Sequence, residues 1–353
     1  MSLPKTTDAW VLQSTDKEKG IRGNLKLEKG KALPELGESD VLVQIQAVSL
    51  NYRDLVIPLG MYPLPLGLPV VACSDGAGRV LATGKKVTQF EEGDKVVTLF
   101  NQGHQHGAIT MEALKTGLGG VLDGTLRQYA VFPESGLARA PSNLSPTEAG
   151  TLTCAPLTAW NALYGLESKA LQPGQVVLTQ GTGGVSLAAI QFAKAAGATV
   201  IATTSSDEKA KRLEKMGADI VLNYKTDPNW GETAKRLSPG KAGVDIVVEV
   251  GGPGTMAQSL KAIKLEGVIA VIGFLGGPKS EDEPSTLASL SAGCIIRGIL
   301  IGSKAQLNAM NRAIDASNIH PIVDEKVFKF EDAPDAYEYQ WEQKNFGKVV
   351  IQL

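Results

Sequence analysis

The sequence is poor in cysteine, has no long apolar run and carries charges that nearly balance. Its three cysteines, Cys73, Cys154 and Cys294, are too few and too scattered for a disulfide framework or a four-cysteine zinc site, and they favour a reducing, cytoplasmic location. No stretch of about 18 uncharged apolar residues occurs, and residues 1–10 lack a signal peptide's apolar run, so no membrane segment is expected. With 35 basic and 37 acidic residues, no broad field favours nucleic acid or an anionic membrane as a partner.

Two kinds of pattern divide the chain. Up to about residue 135, short β runs such as 41–48, 78–81 and 94–99 are broken by Gly and Pro, which predicts a β-rich barrel. From Gln175, apolar strands alternate with amphipathic helices, as in βαβ units on a parallel sheet. The strands are predicted at 176–179, 199–203, 220–222, 245–248, 268–272 and 295–300, and helices at 185–196, 207–216 and 304–317.

The predicted fold class is α/β with two domains. The tail is β-like again, ending in GKVVIQL, and is expected to return to the first domain. We therefore predict a β-rich catalytic domain of residues 1–140 and 322–353, and a Rossmann domain with a doubly wound parallel sheet over 141–321. The glycine-rich segment 102–124 is predicted to be a loop or hairpin.

A strand that runs through glycines into a helix, VVLTQGTGGVSLAAIQFAKAAG, indicates a dinucleotide site. Gly181 permits the tight turn, Gly183 allows close approach to a pyrophosphate, and the helix N-terminus beginning at Gly184 and Val185 attracts phosphate. Ser186 replaces the third glycine of the strict pattern and is small enough for close packing. The alternative interpretation is an ordinary glycine-rich βα turn.

The end of the second predicted strand, ATTSSDEK, favours NADPH as the cofactor. An acidic residue there would bind the ribose hydroxyls of NAD and repel the 2′-phosphate of NADP. Ser205, Ser206 and Lys209 instead offer hydrogen bonds and a positive charge to that phosphate, and Tyr224 in the next loop is expected beside it. Alternatively, Ser206 only caps a helix, Lys209 is only solvated and Tyr224 is an exposed loop aromatic.

The loops after the predicted strands 245–248 and 268–272 are expected to border the same dinucleotide site. The predicted contacts with the nicotinamide half of the cofactor come from Thr158, Gly251, Gly273, Phe274 and Leu275. Simple turn chemistry explains any one of the glycines, and helix packing explains Thr158 almost as well.

Taken together, the β-rich half, GTGGVS, the SSDEK to NY spacing, NYRDL at 51–55 and GKVVIQL resemble the medium-chain dehydrogenase/reductase superfamily over nearly the whole chain. Within it, the chain resembles the zinc-independent quinone oxidoreductase and zinc-type alcohol dehydrogenase-like branch. The resemblance implies a GroES-like catalytic domain formed by both chain ends and a central Rossmann domain, and it implies that Lys209 and Tyr224 hold NADPH.

The sequence departs from its zinc-using relatives at the matching ligand positions. The resemblance implies zinc ligands near Asn51, in the segment Cys73–Ser74–Asp75 and at Cys154, and of these only Cys154 is kept. Catalytic zinc needs three protein ligands, so no metal is predicted. A rearranged site of Cys73, Asp75 and Cys154 is the alternative, and the GHQH pair is interpreted as loop polarity.

Without a Lewis acid, an unactivated alcohol is a poor hydride donor, whereas a polarised acceptor is easier to reduce. We therefore predict an NADPH-dependent reductase of small hydrophobic enones, quinones or carbonyl compounds, in which Tyr52, assisted by Asn51, hydrogen-bonds the developing oxyanion. Tyr52 is equally well interpreted as an aromatic wall against the nicotinamide, and Arg53 with Asp54 as a structural pair. The alternative functions are an enoyl-thioester or biosynthetic tailoring reductase, a non-catalytic NADPH sensor, and an alcohol dehydrogenase.

The last predicted strand of the Rossmann sheet also predicts self-association. The segment 294–302, CIIRGILIG, is an apolar edge strand that favours aggregation if it is left unpaired. A homodimer that extends the sheet across this strand is therefore expected.

Overall fold

A computed structural model describes residues 3–273 and 284–353. The chain forms two compact units: Met1–Leu157 with Ser303–Leu353, called here the β-rich unit, and Thr158–Gly302, called the Rossmann unit. The segments 141–157 and 303–321, predicted to belong to the Rossmann domain, are part of the β-rich unit. Helix Lys304–Ser317 accounts for this, since it packs on strand Leu137–Arg139 and Asn311 Nδ2 donates to the carbonyl of Arg139 at 2.8 Å.

Strands and helices are numbered here along the described residues. The strands are β1 Thr6–Leu12, β2 Leu25–Ala32, β3 Asp40–Ser49, β4 Val70–Val71, β5 Asp75–Thr83, β6 Lys95–Thr98, β7 Tyr129–Pro133, β8 Leu137–Arg139, β9 Val176–Gln180, β10 Thr199–Thr204, β11 Ile220–Asn223, β12 Val244–Glu249, β13 Ile263–Val271, β14 Ile295–Gly298, β15 Val323–Lys329 and β16 Lys348–Gln352. The helices are α1 Gly20–Asn24, α2 Tyr52–Val56, α3 Met111–Leu114, α4 Pro146–Ala149, α5 Ala155–Tyr164, α6 Gly184–Ala195, α7 Asp207–Lys215, α8 Trp230–Leu237, α9 Pro253–Ala262, α10 Ala288–Ala292, α11 Lys304–Ser317 and α12 Ala333–Trp341.

The β-rich unit is organised around β3. Among the described residues its larger sheet has the order β15-β16-β3-β5-β6-β8, with β7 also paired to β3, and a smaller sheet has the order β2-β1-β4. Alternate apolar residues of β3, Val41, Val43 and Ile45, are buried in the unit's hydrophobic core, where each side chain contributes about 1.5–3 kcal/mol. The antiparallel pairings of β3 set Ser49 opposite both Asp75 and Val350. Three distant parts of the sequence therefore meet at the end of β3.

The Rossmann unit contains the predicted parallel sheet. In the described part of the chain the strand order is β11-β10-β9-β12-β13-β14, and all neighbouring strands are parallel. The order reverses between β9 and β12, and this switch point is where such sheets bind ligands. The fifth strand begins at Ile263 rather than 268, because the exposed Glu266 interrupts the apolar pattern by which sequence locates a strand.

The other predicted patterns are confirmed with small shifts of their ends. The runs 41–48 and 78–81 lie inside β3 and β5, and the segment 102–124 contains turns, bridges and the short helix α3. All three cysteines are free thiols. Within the described ranges, none of the helices combines the length and apolar character needed to cross a membrane.

Candidate functional site

The glycine bend, residues 181–183 between β9 and α6, has open space beside it. Gly181 has a φ of +72°, which favours glycine, and its N–H donates to the Thr203 carbonyl at 2.8 Å. Gly183 is the N-cap of α6 and makes no side-chain capping bond. A Cβ added at Gly181 or Gly183 would meet no heavy atom within 4 Å. The first N–H groups of an α-helix have no partner within the helix, so the open space beside Gly181 and Gly183 is a setting for an anion.

Ser186 holds the bend against the sheet. Its side chain is buried, and its hydroxyl donates to the carbonyl of Gln180, the last residue of β9, at 2.6 Å. The third glycine of the strict motif is thus replaced by a residue that ties the helix start to the strand end. Gly184 and Val185 form the first turn of α6, as predicted.

The predicted phosphate-recognition residues lie together at the ends of β10 and β11. Ser206 caps α7, and its hydroxyl accepts from the N–H of Lys209 at 3.4 Å, which is the capping role that the sequence had left open. Ser205, Ser206 and Lys209 are partly exposed. Tyr224 is 42% exposed, and its N–H donates to the Thr204 carbonyl at 3.0 Å. These side chains are accessible to a ligand at this edge of the sheet.

A buried glutamate organises the loop after β12, and sequence reasoning missed it. The carboxylate of Glu249, fully buried, accepts the N–H groups of Gly251 and Gly252 at 2.9 Å each and the amide of Gln180 at 2.7 Å. The N–H of Gly251 also lies 3.1 Å from the side-chain oxygen of Gln180. Gly251 therefore has no free N–H for a cofactor, and any contact must use another atom. The available signal was an acidic residue between an apolar run and the glycines, in VVEVGG.

The other residues predicted to contact the nicotinamide lie in different surroundings. Gly273 follows β13, and a Cβ there would lie 2.6 Å from the Val250 carbonyl, so close backbone packing is enough to require glycine. Thr158 is buried in α5. Phe274 and Leu275 lie outside the described residues.

In the β-rich unit, α2 begins directly after β3 and carries the predicted oxyanion donors. Asn51 is its N-cap, and its backbone N–H donates to Asp54 Oδ2 at 2.8 Å. Tyr52 is partly exposed and packs against the hydrophobic core. The buried Asp54 loses solvation, and this raises its pKa to about 6.

The charge of Arg53 acts on Asp54, as the sequence suggested, but the guanidinium makes its direct contacts with other residues. Its guanidinium donates to the Leu118 carbonyl at 2.8 Å and lies 4.6 Å from the centre of the Phe100 ring and 5.1 Å from that of Tyr62. Arg53 thus anchors the segment around Leu118 to α2, as a structural residue.

Lys348, the first residue of β16, lies beside Asn51 and was not singled out in the sequence. Its ammonium donates to Asn51 Oδ1 at 2.6 Å, to the Leu50 carbonyl at 2.8 Å and to Asp75 Oδ2 at 3.1 Å. Lys348 is 5% exposed, and Asp75 is fully buried. The site therefore contains a buried cation supplied by the protein itself.

Two family models match the two parts of the chain. Residues 37–142 match the alcohol dehydrogenase GroES-like domain, and residues 184–316 match the zinc-binding dehydrogenase domain. A zinc-type alcohol dehydrogenase-like protein of Schizosaccharomyces pombe is 45% identical over 93% of this chain and 95% of its own length. The chain belongs to the medium-chain dehydrogenase/reductase superfamily. It is an oxidoreductase of that superfamily.

Two further comparisons agree with this assignment. A 2-methylene-furan-3-one reductase of Solanum lycopersicum is 31% identical over 99% of this chain and 80% of its own length. The crystal structure of an NAD-dependent alcohol dehydrogenase superposes with a TM-score of 0.85 at 32% identity, covering 98% of this chain and 99% of that one. The predicted fold class, a GroES-like domain with a Rossmann domain, is thereby confirmed.

The residues near Asn51 do not fit the catalytic zinc that the family name implies. Asp75 is ion-paired with Lys348, and of the ligand positions implied by the resemblance only Cys154 keeps the zinc-type ligand, whereas catalytic zinc needs three protein ligands. His104 Nε2 lies 3.0 Å from the Gly107 carbonyl, and His320 pairs with Glu148. Across residues 3–273 and 284–353, no group of three or more His, Cys, Asp or Glu side chains is arranged to hold a metal ion.

Proposed function

We propose that the protein is an NADPH-dependent reductase that transfers hydride, without a metal, to a carbon–carbon double bond conjugated with a carbonyl, or to a quinone. The observation that carries the proposal is the open glycine bend at the N-terminus of α6. Gly181 and Gly183 leave room there, and uncapped N–H groups face it. Phosphates are the ligands that such a bend prefers, and the sheet's switch point lies beside it.

The proposed cofactor contacts follow the strand ends of the Rossmann unit. Backbone N–H groups of the glycine bend bind the pyrophosphate, Ser205, Ser206 and Lys209 bind the 2′-phosphate, and Tyr224 packs nearby. The residues assigned to the cofactor are Thr158, Gly181, Gly183, Gly184, Val185, Ser205, Ser206, Lys209, Tyr224 and Gly273, together with Phe274 and Leu275 as sequence predictions.

NADPH is preferred to NADH in this proposal because no acidic side chain stands at Ser205 or Ser206. The nearest acid, Asp207, accepts from Asn223 Nδ2 at 2.7 Å, which ties its carboxylate to the end of β11. One of the compared crystal structures is named NAD-dependent, so cofactor choice is a property to measure for this chain.

The donors proposed for the acceptor are Asn51 and Tyr52 of α2. The reduced nicotinamide supplies a hydride when it is bound. As the acceptor takes that hydride at its β-carbon, the π electrons move to the carbonyl oxygen, and the resulting enolate takes a proton from solvent at the α-carbon. Asn51 and Tyr52 hydrogen-bond the oxygen while it gains charge. An enone suits this chemistry, and the tomato relative is named for one.

The proposal is tested by following NADPH oxidation with a panel of quinones, enones, enoyl thioesters and saturated ketones, each with and without chelator. We expect turnover of enones or quinones that chelator leaves unchanged. Zinc-dependent oxidation of alcohols, abolished by chelator, would replace this function with that of an alcohol dehydrogenase. NADPH binding without turnover of any acceptor would favour a sensor.

Tyr52→Phe separates the two roles of the tyrosine. The variant keeps the ring and loses the hydroxyl. If the hydroxyl hydrogen-bonds the oxyanion, kcat falls by about 10- to 100-fold with KM little changed, because that hydrogen bond is lost. Unchanged kcat assigns Tyr52 to packing alone.

We also propose a homodimer formed through β14. This strand ends the sheet among the described residues, and its Ile295 and Ile296 are 37% and 41% exposed, as is Leu300 at 49%. Pairing of β14 with a second copy would cover these side chains. Light scattering should give the mass of a dimer for the wild-type protein and a monomer for Ile296→Lys.

A further inference from the structure

The ammonium of Lys348 is held in a single position. It has three protons and no lone pair, and the three acceptors around it are the Leu50 carbonyl, Asn51 Oδ1 and Asp75 Oδ2 at 2.8, 2.6 and 3.1 Å. Every proton of the ammonium is therefore used. Asp75 Oδ2 also accepts from the hydroxyl of Ser49 at 2.8 Å, which fixes the carboxylate in turn.

Stability alone does not account for this ion pair. Removing two charges from water costs several kcal/mol for each ion, and replacing a buried pair by apolar residues of similar volume is often neutral or stabilising. Lys348 and Asp75 are 5% and 0% exposed, so the cost applies in full here. The arrangement is better explained by what the ammonium does to its third partner, Asn51.

The ammonium orients the carboxamide of Asn51. Because an ammonium only donates, it selects the carbonyl oxygen of the amide, and the Nδ2 group must point the other way. Asn51 is 7% exposed, and its Nδ2 is buried with no hydrogen-bond partner among the described residues. A buried donor without an acceptor destabilises the folded protein. The positive charge at 2.6 Å from Oδ1 also polarises the amide and strengthens its N–H groups as donors.

We propose that Lys348 is a positioning residue of the active site, which holds Asn51 so that its Nδ2 donates to the carbonyl oxygen of the acceptor. The inference rests on the proposed function and deepens it. When hydride from NADPH adds to the β-carbon, the electron pair arriving on the oxygen is met by an N–H that is already aimed and cannot rotate away. Asp75 keeps the ammonium in place. The site thus uses a lysine and an amide to stabilise charge on the oxygen.

The first test measures kinetics in variants that leave no buried charge uncompensated. Lys348→Met combined with Asp75→Asn removes both charges of the buried pair together. We expect the double variant to lower kcat by about 100-fold, the usual effect of losing an oxyanion donor, with the Kd for NADPH changed less than about twofold. Adding Asn51→Ala to the double variant should cause no further loss, because the same donor is already lost.

A merely structural lysine gives another pattern. In that case the loss of kcat in the double variant would follow the fall in melting temperature, and it would multiply with the loss of kcat caused by Asn51→Ala. This result would overturn the proposal. Asn51→Asp provides a second variant that is nearly isosteric and keeps an oxygen for Lys348, but has no Nδ2 to donate. Full activity of Asn51→Asp would also overturn the proposal.

A second readout needs no activity. In protein labelled with ¹⁵N-asparagine, the side-chain amide signal of Asn51 is identified by its absence in Asn51→Ala. We expect two well-separated, slowly exchanging protons in the wild type, and a shifted, faster-exchanging signal in the Lys348→Met/Asp75→Asn variant. An identical signal in both would overturn the positioning role. If the wild type reduces no acceptor, the proposed function fails, while this measurement still decides whether Lys348 fixes Asn51.

Discussion

The two candidate sites are built in opposite ways. At the glycine bend of the Rossmann unit, recognition is offered by backbone N–H groups, and Gly181 and Gly183 keep the space in front of them empty. Around Asn51 in the β-rich unit, recognition is offered by side chains that are buried and held by one another, with Lys348 at the centre. In the proposed function, the first site binds phosphate through shape and charge, and the second binds a single oxygen atom.

This difference predicts how each site responds to change. A backbone site fails when a side chain enters the space that it keeps open, while the surrounding fold is little affected. A side-chain site fails when any member of its network is removed, because the partners left behind are buried and unpaired. Substitutions therefore test the two sites in different measurements. Ligand affinity reports on the glycine bend, and kcat or stability reports on the side-chain cluster of Ser49, Asn51, Asp75 and Lys348.

The largest effect is expected from Gly183→Val. A Cβ at this position meets no protein atom within 4 Å, so we expect the fold to tolerate the substitution, yet the new side chain would occupy the space assigned to the pyrophosphate. We expect the Kd for NADPH to rise on the order of 100-fold, equivalent to about 2.7 kcal/mol. Fluorescence titration of NADPH measures this directly.

Gly298→Val is the matched control for this prediction. Gly298 ends β14 in the same unit, and a Cβ there also meets no heavy atom within 4 Å. Its Kd should stay near that of the wild type. Unchanged affinity in Gly183→Val would place the nucleotide elsewhere and remove the main support of the proposed function.

The same contrast explains what the sequence could predict. The bend is local: strand, glycines and helix follow one another over about 20 residues, so their order alone indicates the site. The cluster is not local. Ser49, Asn51, Asp75 and Lys348 meet only because β3 pairs with both β5 and β16, and nothing near GKVVIQL indicates that its lysine is buried.

Sequence patterns also misjudge side chains whose partners lie on another segment. Arg53 and Asp54 are adjacent and of opposite charge, which suggested a pair; the charge of Arg53 does lower the pKa of Asp54, but Arg53 donates its hydrogen bond to Leu118 and Asp54 accepts from Asn51. Glu249 is similar, because its role depends on Gln180 from the neighbouring strand β9. The partners of these side chains are set by tertiary contacts, which the local spacing of residues in the sequence does not reveal.

An intermediate effect is expected on the pH dependence of stability, through Asp54 in the side-chain site. Burial raises its pKa from 3.8 to about 6, Arg53 and Lys348 lower it, and Asp75 raises it. Between about pH 4 and 6 the carboxyl of Asp54 ionises in the unfolded chain but stays protonated in the folded protein. Its contribution to the free energy of unfolding therefore falls as pH rises and stays low above pH 6. The loss is on the order of 2 to 3 kcal/mol at about 1.4 kcal/mol per pH unit.

Asp54→Asn tests this contribution. Its amide oxygen can still accept from the backbone N–H of Asn51, but it has no titrating group. We expect the free energy of unfolding, measured in urea from pH 4 to 8, to fall more steeply between pH 4 and 6 in the wild type than in the variant. Parallel curves would mean that the carboxyl of Asp54 titrates normally in the folded protein.

The smallest effect is expected from Lys209→Met, because this part of the nucleotide site depends on a side chain at the surface. Lys209 is partly exposed, so water and salt weaken its pairing with a 2′-phosphate. We expect the ratio of the Kd for NADH to that for NADPH to fall about tenfold, or about 1.4 kcal/mol. NADH affinity itself should stay unchanged, since that cofactor lacks the phosphate.

Lys211→Met, at an exposed lysine of the same helix, controls for the loss of one positive charge. Equal changes in both variants would show a general field effect, and no change in either would leave cofactor choice to Ser205, Ser206 and the backbone.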